Sequence, residues 1–193
     1  MILALDSRLW TLDILVMVIT LIGYRGSGKS SVAKPLASWL GWQVIDADDE
    51  IERRAQKAIG AIFADDGETQ FRRLESEVMQ DLLHRDRLVI AAGGGAVLNT
   101  ETRCEMRAAG PVVWLQAPAD VLAGRIGHDK STVTRRPDLT STGGIEEIET
   151  VLAARESLYR ECASLTVETG GQTVDEIVRK ILSAIGPLVN EDR

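Results

Sequence analysis

The chain is short of the residues on which several protein classes depend. Aromatic residues are only 4% of its 193 residues, which leaves little for the stacked-ring platforms that hold single-stranded nucleic acids. Cysteine occurs twice, at Cys104 and Cys162, far apart and with no CxxC partner or histidine cluster. A disulfide framework and a zinc site are therefore unexpected, and a reducing cytoplasm is the natural compartment. Basic residues are in deficit: 22 Lys plus Arg stand against 29 Asp plus Glu, a net charge of -7. A nucleic-acid binder would need a basic face, so that balance argues against one.

No long apolar run is present either. Residues 1–22 are fairly apolar, but Asp6, Arg8 and Asp13 interrupt them. They fall short of the roughly 18 uninterrupted apolar residues of a membrane span, and no basic segment or small-residue cleavage site frames them as a signal peptide. No membrane partner is expected. Met17 stands at the head of an apolar run that leads into the main motif. Residues 1–16 are accordingly expected to be a dispensable extension, and residues 17–193 a single domain.

What the chain does contain is 45% hydrophobic and 26% charged residues, the balance of a soluble globular protein that can bury a full core. Short β-branched runs alternate with helical periodicity. Strands are predicted over residues 16–22, 43–45, 88–92, 112–115 and 165–167. Helices are predicted over 29–40, 49–58, 69–85, 100–108, 145–161 and 174–185, with Pro118 placed to start another. Near-continuous apolar strands separated by helices indicate an α/β fold with a parallel sheet covered on both faces. Residues 127–144 break the rhythm: they are polar, carry Lys130, Arg135 and Arg136, and show no hydrophobic period. Such a loop is either a surface insertion or a mobile lid that brings cations to a substrate.

The strongest chemical signal is Gly23-Tyr24-Arg25-Gly26-Ser27-Gly28-Lys29-Ser30, a full G-x-x-x-x-G-K-[ST] between a strand and a helix. Glycine lets the backbone approach a phosphate, and the amides of Gly26, Ser27, Gly28, Lys29, Ser30 and Ser31 can converge on an anion at the positive helix end. Lys29 is expected on the β- and γ-phosphates of ATP, and the Ser30 hydroxyl on Mg²⁺. Where many such proteins end a strand with an acid, this chain has Gly93, Gly94 and Gly95. They offer either backbone amides to a compact polar acceptor or only a tight turn. The acids come earlier, as Asp46 and Asp48. On a continued strand both would point to one side, one toward magnesium and the other toward an attacking hydroxyl. A helix N-cap is the plainer alternative. Asp49 and Glu50 suit the first turn of the helix that follows. Arg72 and Arg155 can each grip a carboxylate as a planar fork, although a lone surface arginine is the commoner occurrence.

Taken in order, GxxGxGKS, DxD, FRxxE, GGG, an Arg-Pro lid and RxxLY resemble the shikimate kinases over nearly the whole chain. The resemblance implies a three-layer P-loop kinase fold like that of the nucleoside monophosphate kinases, with a five-stranded parallel sheet in the order 2-3-1-4-5. It implies ATP- and magnesium-dependent phosphorylation of the 3-hydroxyl of shikimate, in aromatic amino-acid biosynthesis, by a cytoplasmic monomer. Carried over by residue, it puts Asp48 on the reacting hydroxyl and Asp46 near magnesium. Arg72 and Arg155 hold the shikimate carboxylate, with Gly93, Gly94 and Gly95 beside it. Arg136 faces the phosphates, and Arg125 and Gln172 edge the adenine. Lys29, Asp48 and Arg136 are the implied catalytic set. Two positions depart from the family pattern: Asp138 stands for a leucine after Arg-Pro, and Ser157 for a proline before Leu-Tyr. A gluconate kinase of the same fold is the nearest rival, set apart by FRxxE, GGG and the late arginine. An idle nucleotide-sensing domain is the other, and retention of Lys29, Ser30, Asp48 and Arg136 together speaks against it.

Overall fold

The computed structural model describes residues 17–128 and 144–189. The expected N-terminal extension and the body of the expected lid, with Lys130, Arg135, Arg136 and Asp138, lie outside the described residues. Five short strands form one sheet: β1 (Val18–Ile22), β2 (Gln43–Asp46), β3 (Leu88–Ala91), β4 (Val112–Gln116) and β5 (Leu165–Glu168). All four pairings are parallel and the order is β2-β3-β1-β4-β5, as the resemblance implied. In the centre Thr20 lies opposite both Ile90 and Val112. β1 and β3 are buried at every residue, which is why they read as unbroken apolar runs and not as alternating ones.

The helices are α1 (Lys29–Leu40), α2 (Ala47–Ala55), α3 (Ile59–Asp65), α4 (Gly67–Leu83), α5 (Thr100–Ala109), α6 (Ala119–His128), α7 (Gly144–Cys162) and α8 (Val174–Val189). Alternation along β1 sorts them into two layers. Ile19 and Leu21 point into a core with Val32 and Leu36 of α1 and Ile177 and Ile181 of α8. Val18 and Ile22 point the other way, toward Phe71 and Val78 of α4, Met106 of α5 and Tyr159 of α7. Phe71 is fully buried. A buried phenylalanine is worth roughly 3–5 kcal/mol, enough to fix which face α4 turns to the sheet. A smaller cluster joins Tyr24, just after β1, to Leu122 of α6 and to Ile148 and Val151 of α7. Among the described residues no helix is long and apolar enough to cross a membrane.

Three local expectations are corrected. The second strand runs to Asp46 and α2 begins at once, at Ala47 and not at Asp49. The cause is the Asp46 carboxylate, which accepts from the Asp48 amide at 3.0 Å and turns the chain into the helix. Asp46 and Asp48 are therefore a cap and a first-turn residue, not two steps along a strand. Helix α3 has no counterpart in the sequence prediction, because its seven residues include Gly60 and are too few to show a period. Gly127, His128 and Gly144, taken as parts of the polar loop, belong instead to α6 and α7.

Candidate active site

Because every strand is parallel, the chain leaves β1, β2, β3 and β4 at one edge of the sheet. The order reverses beside β1, and open sheets of this kind bind ligands at such a crevice. Among the turns that meet there, those after β1 and β3 are glycine-rich. Gly23 follows β1 with φ 141°, and a Cβ on it would lie 2.4 Å from the Leu115 carbonyl oxygen. Only glycine fits, so the loop lies flat against β4 before it rises into α1. The Ser27 amide donates to the Tyr24 carbonyl at 3.2 Å and closes the turn. The ammonium of Lys29 donates to the carbonyls of Gly23 and Tyr24, each at 2.9 Å, so it lies across its own loop.

A cavity of about 550 Å³ opens above this loop. The predicted nucleotide residues Gly26, Ser27, Gly28, Lys29, Ser30 and Ser31 line it, together with Asp46, Asp48 and Gly94. Arg125 and Gln172 also line it. Arg125 is fixed by donating to the Gly26 carbonyl at 3.3 Å and to the Thr169 carbonyl at 2.7 Å. Gln172 donates to the Glu168 carbonyl at 2.5 Å and accepts from Lys180 at 2.7 Å.

Ser30 and Asp46 meet at the foot of the cavity, the serine hydroxyl donating to the carboxylate at 2.5 Å. Burial pushes the Asp46 carboxyl above the usual aspartate range; the Ser30 bond opposes this and the nearby Asp48 and Asp49 add to it. A cation would relieve that cost, and a hydroxyl with a carboxylate is the hard-oxygen donor set that magnesium takes. Among the described residues no three acidic, histidine or cysteine side chains gather to hold a metal unaided. Magnesium in phosphoryl-transfer sites is held by one or two protein oxygens together with phosphates and water, so these residues fit it.

The second glycine turn follows β3. The Gly93 carbonyl accepts from Ala96, and the Gly94 carbonyl accepts from Arg155 at 3.0 Å and from the buried Tyr159 hydroxyl at 2.8 Å. A Cβ at Gly94 would lie 3.5 Å from the Gly23 carbonyl oxygen, so only about the width of a methyl group separates the two turns there. A Cβ at Gly95 would fall 2.1 Å from an Arg72 nitrogen. Arg72 is itself held by Glu75 at 2.6 Å and Glu68 at 3.1 Å, with its guanidinium 5.1 Å from the Phe71 ring centre. Arg72 and Arg155 are thus brought to adjacent residues of one turn, from helices far apart in sequence. Arg72 and Gly95 face a separate cleft between α4 and α5, not the cavity over the loop. Arg136 lies outside the described residues.

Sequence reasoning passed over two side chains here. Arg25 occupies an unrestricted position of the loop motif, yet it lines the cavity and donates to Glu147 at 3.0 Å. Glu147 looks in sequence like one of several acids opening an amphipathic helix, and only its zero exposure sets it apart.

The comparisons with known proteins agree with this geometry. The family model described as shikimate kinase matches residues 25–186. A shikimate kinase of Rhodopirellula baltica is 42% identical over 164 residues, which are 85% of this chain and 88% of that one. A solved shikimate kinase of Acinetobacter baumannii, in complex with shikimate, superposes with a TM-score of 0.83 at 35% identity, covering 89% of this chain and 94% of its own. A gluconokinase of Sinorhizobium meliloti, 20% identical with a TM-score of 0.54 over 92% of this chain and 95% of its own, shares the fold alone. With the family model matched from Arg25 through the Gly93–Gly95 turn and α7, the chain belongs to the shikimate kinase family.

Proposed function

We propose that the chain transfers the γ-phosphoryl group of ATP to the 3-hydroxyl of shikimate. The observation that carries this is the close approach of the two glycine turns. The phosphate loop lies within a methyl group's reach of Gly94, whose carbonyl holds Arg155, and Arg72 packs on the next residue. A nucleotide phosphate and a small carboxylic acid bound at these turns would meet at their seam.

Each side chain then has a task. The amides around Gly26 and Gly28 and the Lys29 ammonium bind the phosphates. Arg125 and Gln172 bound the adenine. Arg72 and Arg155 hold the acceptor carboxylate, with Gly93, Gly94 and Gly95 shaping the floor beneath the ring. Asp48, in the first turn of α2, orients the acceptor hydroxyl and accepts its proton. Arg136 adds positive charge on the phosphate side. Ser30 and Asp46 hold magnesium, which when bound draws charge from the phosphate oxygens. Most of the rate gain comes from positioning and from fixed charge facing the transferring group. The enzyme works as a monomer in the cytoplasm, and residues 1–16 are dispensable to it.

A coupled assay of ADP release with ATP and, in turn, shikimate, quinate and gluconate tests this. Turnover is expected with shikimate and not with gluconate. Equal rates with gluconate would remove the carboxylate-and-ring assignment of the acceptor side. A chain beginning at Met17 should retain both fold and activity, and loss of either would make residues 1–16 part of the domain.

A further inference from the structure

We propose that Glu147 is a positioning residue for the acceptor, holding the Arg25 guanidinium at the seam between the phosphate loop and the Gly94 turn. The inference rests on the kinase reading above and adds to it a carboxylate that touches neither substrate.

Glu147 stands in the first turn of α7 with its side chain at 0% exposure, and Arg25 is 15% exposed. They meet at 3.0 Å across 122 positions of sequence. The position suits a buried carboxylate, because the N-terminal end of α7 favours negative charge and Arg25 supplies the opposite one. Stability alone does not call for such a pair. Burying two ions costs several kcal/mol each, and apolar side chains of similar volume would often serve as well. Apolar contacts already join α7 to the loop here, through Tyr24, Ile148 and Val151. What the pair adds is a charge at a fixed place.

That place adjoins the Gly94 turn, on the wall of the cavity above the loop. Arg25 precedes the phosphate-cradling residues, and its backbone nitrogen lies 3.8 Å from where a Gly94 Cβ would be. The neighbouring Tyr24 is buried with both Arg25 and Arg155 within electrostatic reach. Arg25 and Arg155 thus flank one turn, Arg155 fixed by the Gly94 carbonyl and Arg25 by Glu147. A guanidinium held at one end keeps fewer orientations, so less freedom is lost when it meets an anionic acceptor.

Steady-state kinetics of Glu147→Gln, with shikimate and ATP varied separately, provide the test. The shikimate KM is expected to rise on the order of tenfold or more, as a misplaced contact does, while the ATP KM stays within about twofold. Arg25→Gln should show the same split, and the double variant should be no worse than Arg25→Gln alone. If Glu147→Gln does not fold, Arg25→Gln, on the partly exposed member, decides alone by its KM split. Equal rises in both KM values, or a lower melting temperature with neither KM changed, would make the pair a purely structural bridge and overturn the proposal. Wild-type enzyme inactive on shikimate would overturn the kinase reading, and this inference with it.

Discussion

Residues 23–31 carry bonds within the loop itself, besides those to Arg125 and Glu147. Ser27 bonds to Tyr24, and Lys29 to the carbonyls of Gly23 and Tyr24. The turn at residues 93–95 is held from outside by Arg155 and Tyr159 of α7, and Arg72 of α4 packs close against Gly95. A phosphate offers many equivalent oxygens, and a short run of backbone amides at a helix end suits it. A small acceptor with one carboxylate and a set of hydroxyls needs directional side chains, and these come from wherever the fold can supply them. Changes in the first region should therefore act on the phosphoryl group, except at Arg25, whose side chain reaches out to Glu147, and changes in the second on the acceptor.

The largest expected effect is that of Lys29→Ala. Removing a cation from the transition state costs on the order of 3 kcal/mol, about a hundredfold in kcat, with circular dichroism unchanged. Near-normal turnover would break the comparison at its phosphate side. Next is Asp48→Asn, which keeps size and hydrogen bonding but removes the proton acceptor. A fall in kcat on the order of a hundredfold, with nucleotide binding retained by titration, is expected of a base. A wild-type rate would return Asp48 to a first-turn helix residue.

Arg72→Lys and Arg155→Lys probe the other side. Each keeps its charge and loses the planar fork, so the shikimate KM should rise about tenfold, with the ATP KM much less affected. Equal effects on both would show that the two regions do not divide the labour. Gly95→Ala sharpens this further. Its methyl group would displace the end of the Arg72 side chain, whereas Gly94→Ala meets nothing closer than 3.5 Å. Gly95→Ala should raise the shikimate KM and lower stability by no more than about 1 kcal/mol. Gly94→Ala should be the milder of the two in the same assay.

The smallest effect concerns pH. Burial raises the Asp46 carboxyl in the folded state, so the native protein binds more protons there than the unfolded chain. Stability is therefore lost as pH rises from the ordinary aspartate value through the raised one, and the full cost remains at neutral pH. Asp46→Asn keeps an N-cap acceptor and removes that cost. Without divalent ions its melting temperature should exceed the wild type's at pH 7 and match it near pH 3. An unchanged or lower value at pH 7 would mean that the charge is not strained.

The phosphate loop was legible from sequence because its information is local. Glycine spacing, a lysine and a hydroxyl lie within eight residues, and a strand and a helix flank them. The sheet was legible for a similar reason, since strands buried on both faces leave unbroken apolar runs. Asp46 shows where local reasoning stops. Its pairing with Asp48 was expected from strand periodicity, but its own carboxylate bonds the Asp48 amide and starts a helix there. Both acids still line the cavity, through capping geometry and not through alternation.

Sequence by itself determined the chemistry on offer: a phosphate cradle, paired acids, a glycine turn, and arginines fit for a carboxylate. The order of those motifs also carried the family resemblance and, with it, the order of the strands. Only the tertiary structure decided which of many charged side chains are buried and aimed. Glu147 and Arg25 are ordinary residues in sequence, and Glu146 beside Glu147 is exposed. What separates them is the packing of α7 on the loop through Tyr24, Ile148 and Val151. Burial turns a surface charge into an expensive one that must be met by its opposite. That cost depends on distances across more than a hundred residues of chain, which no local pattern encodes.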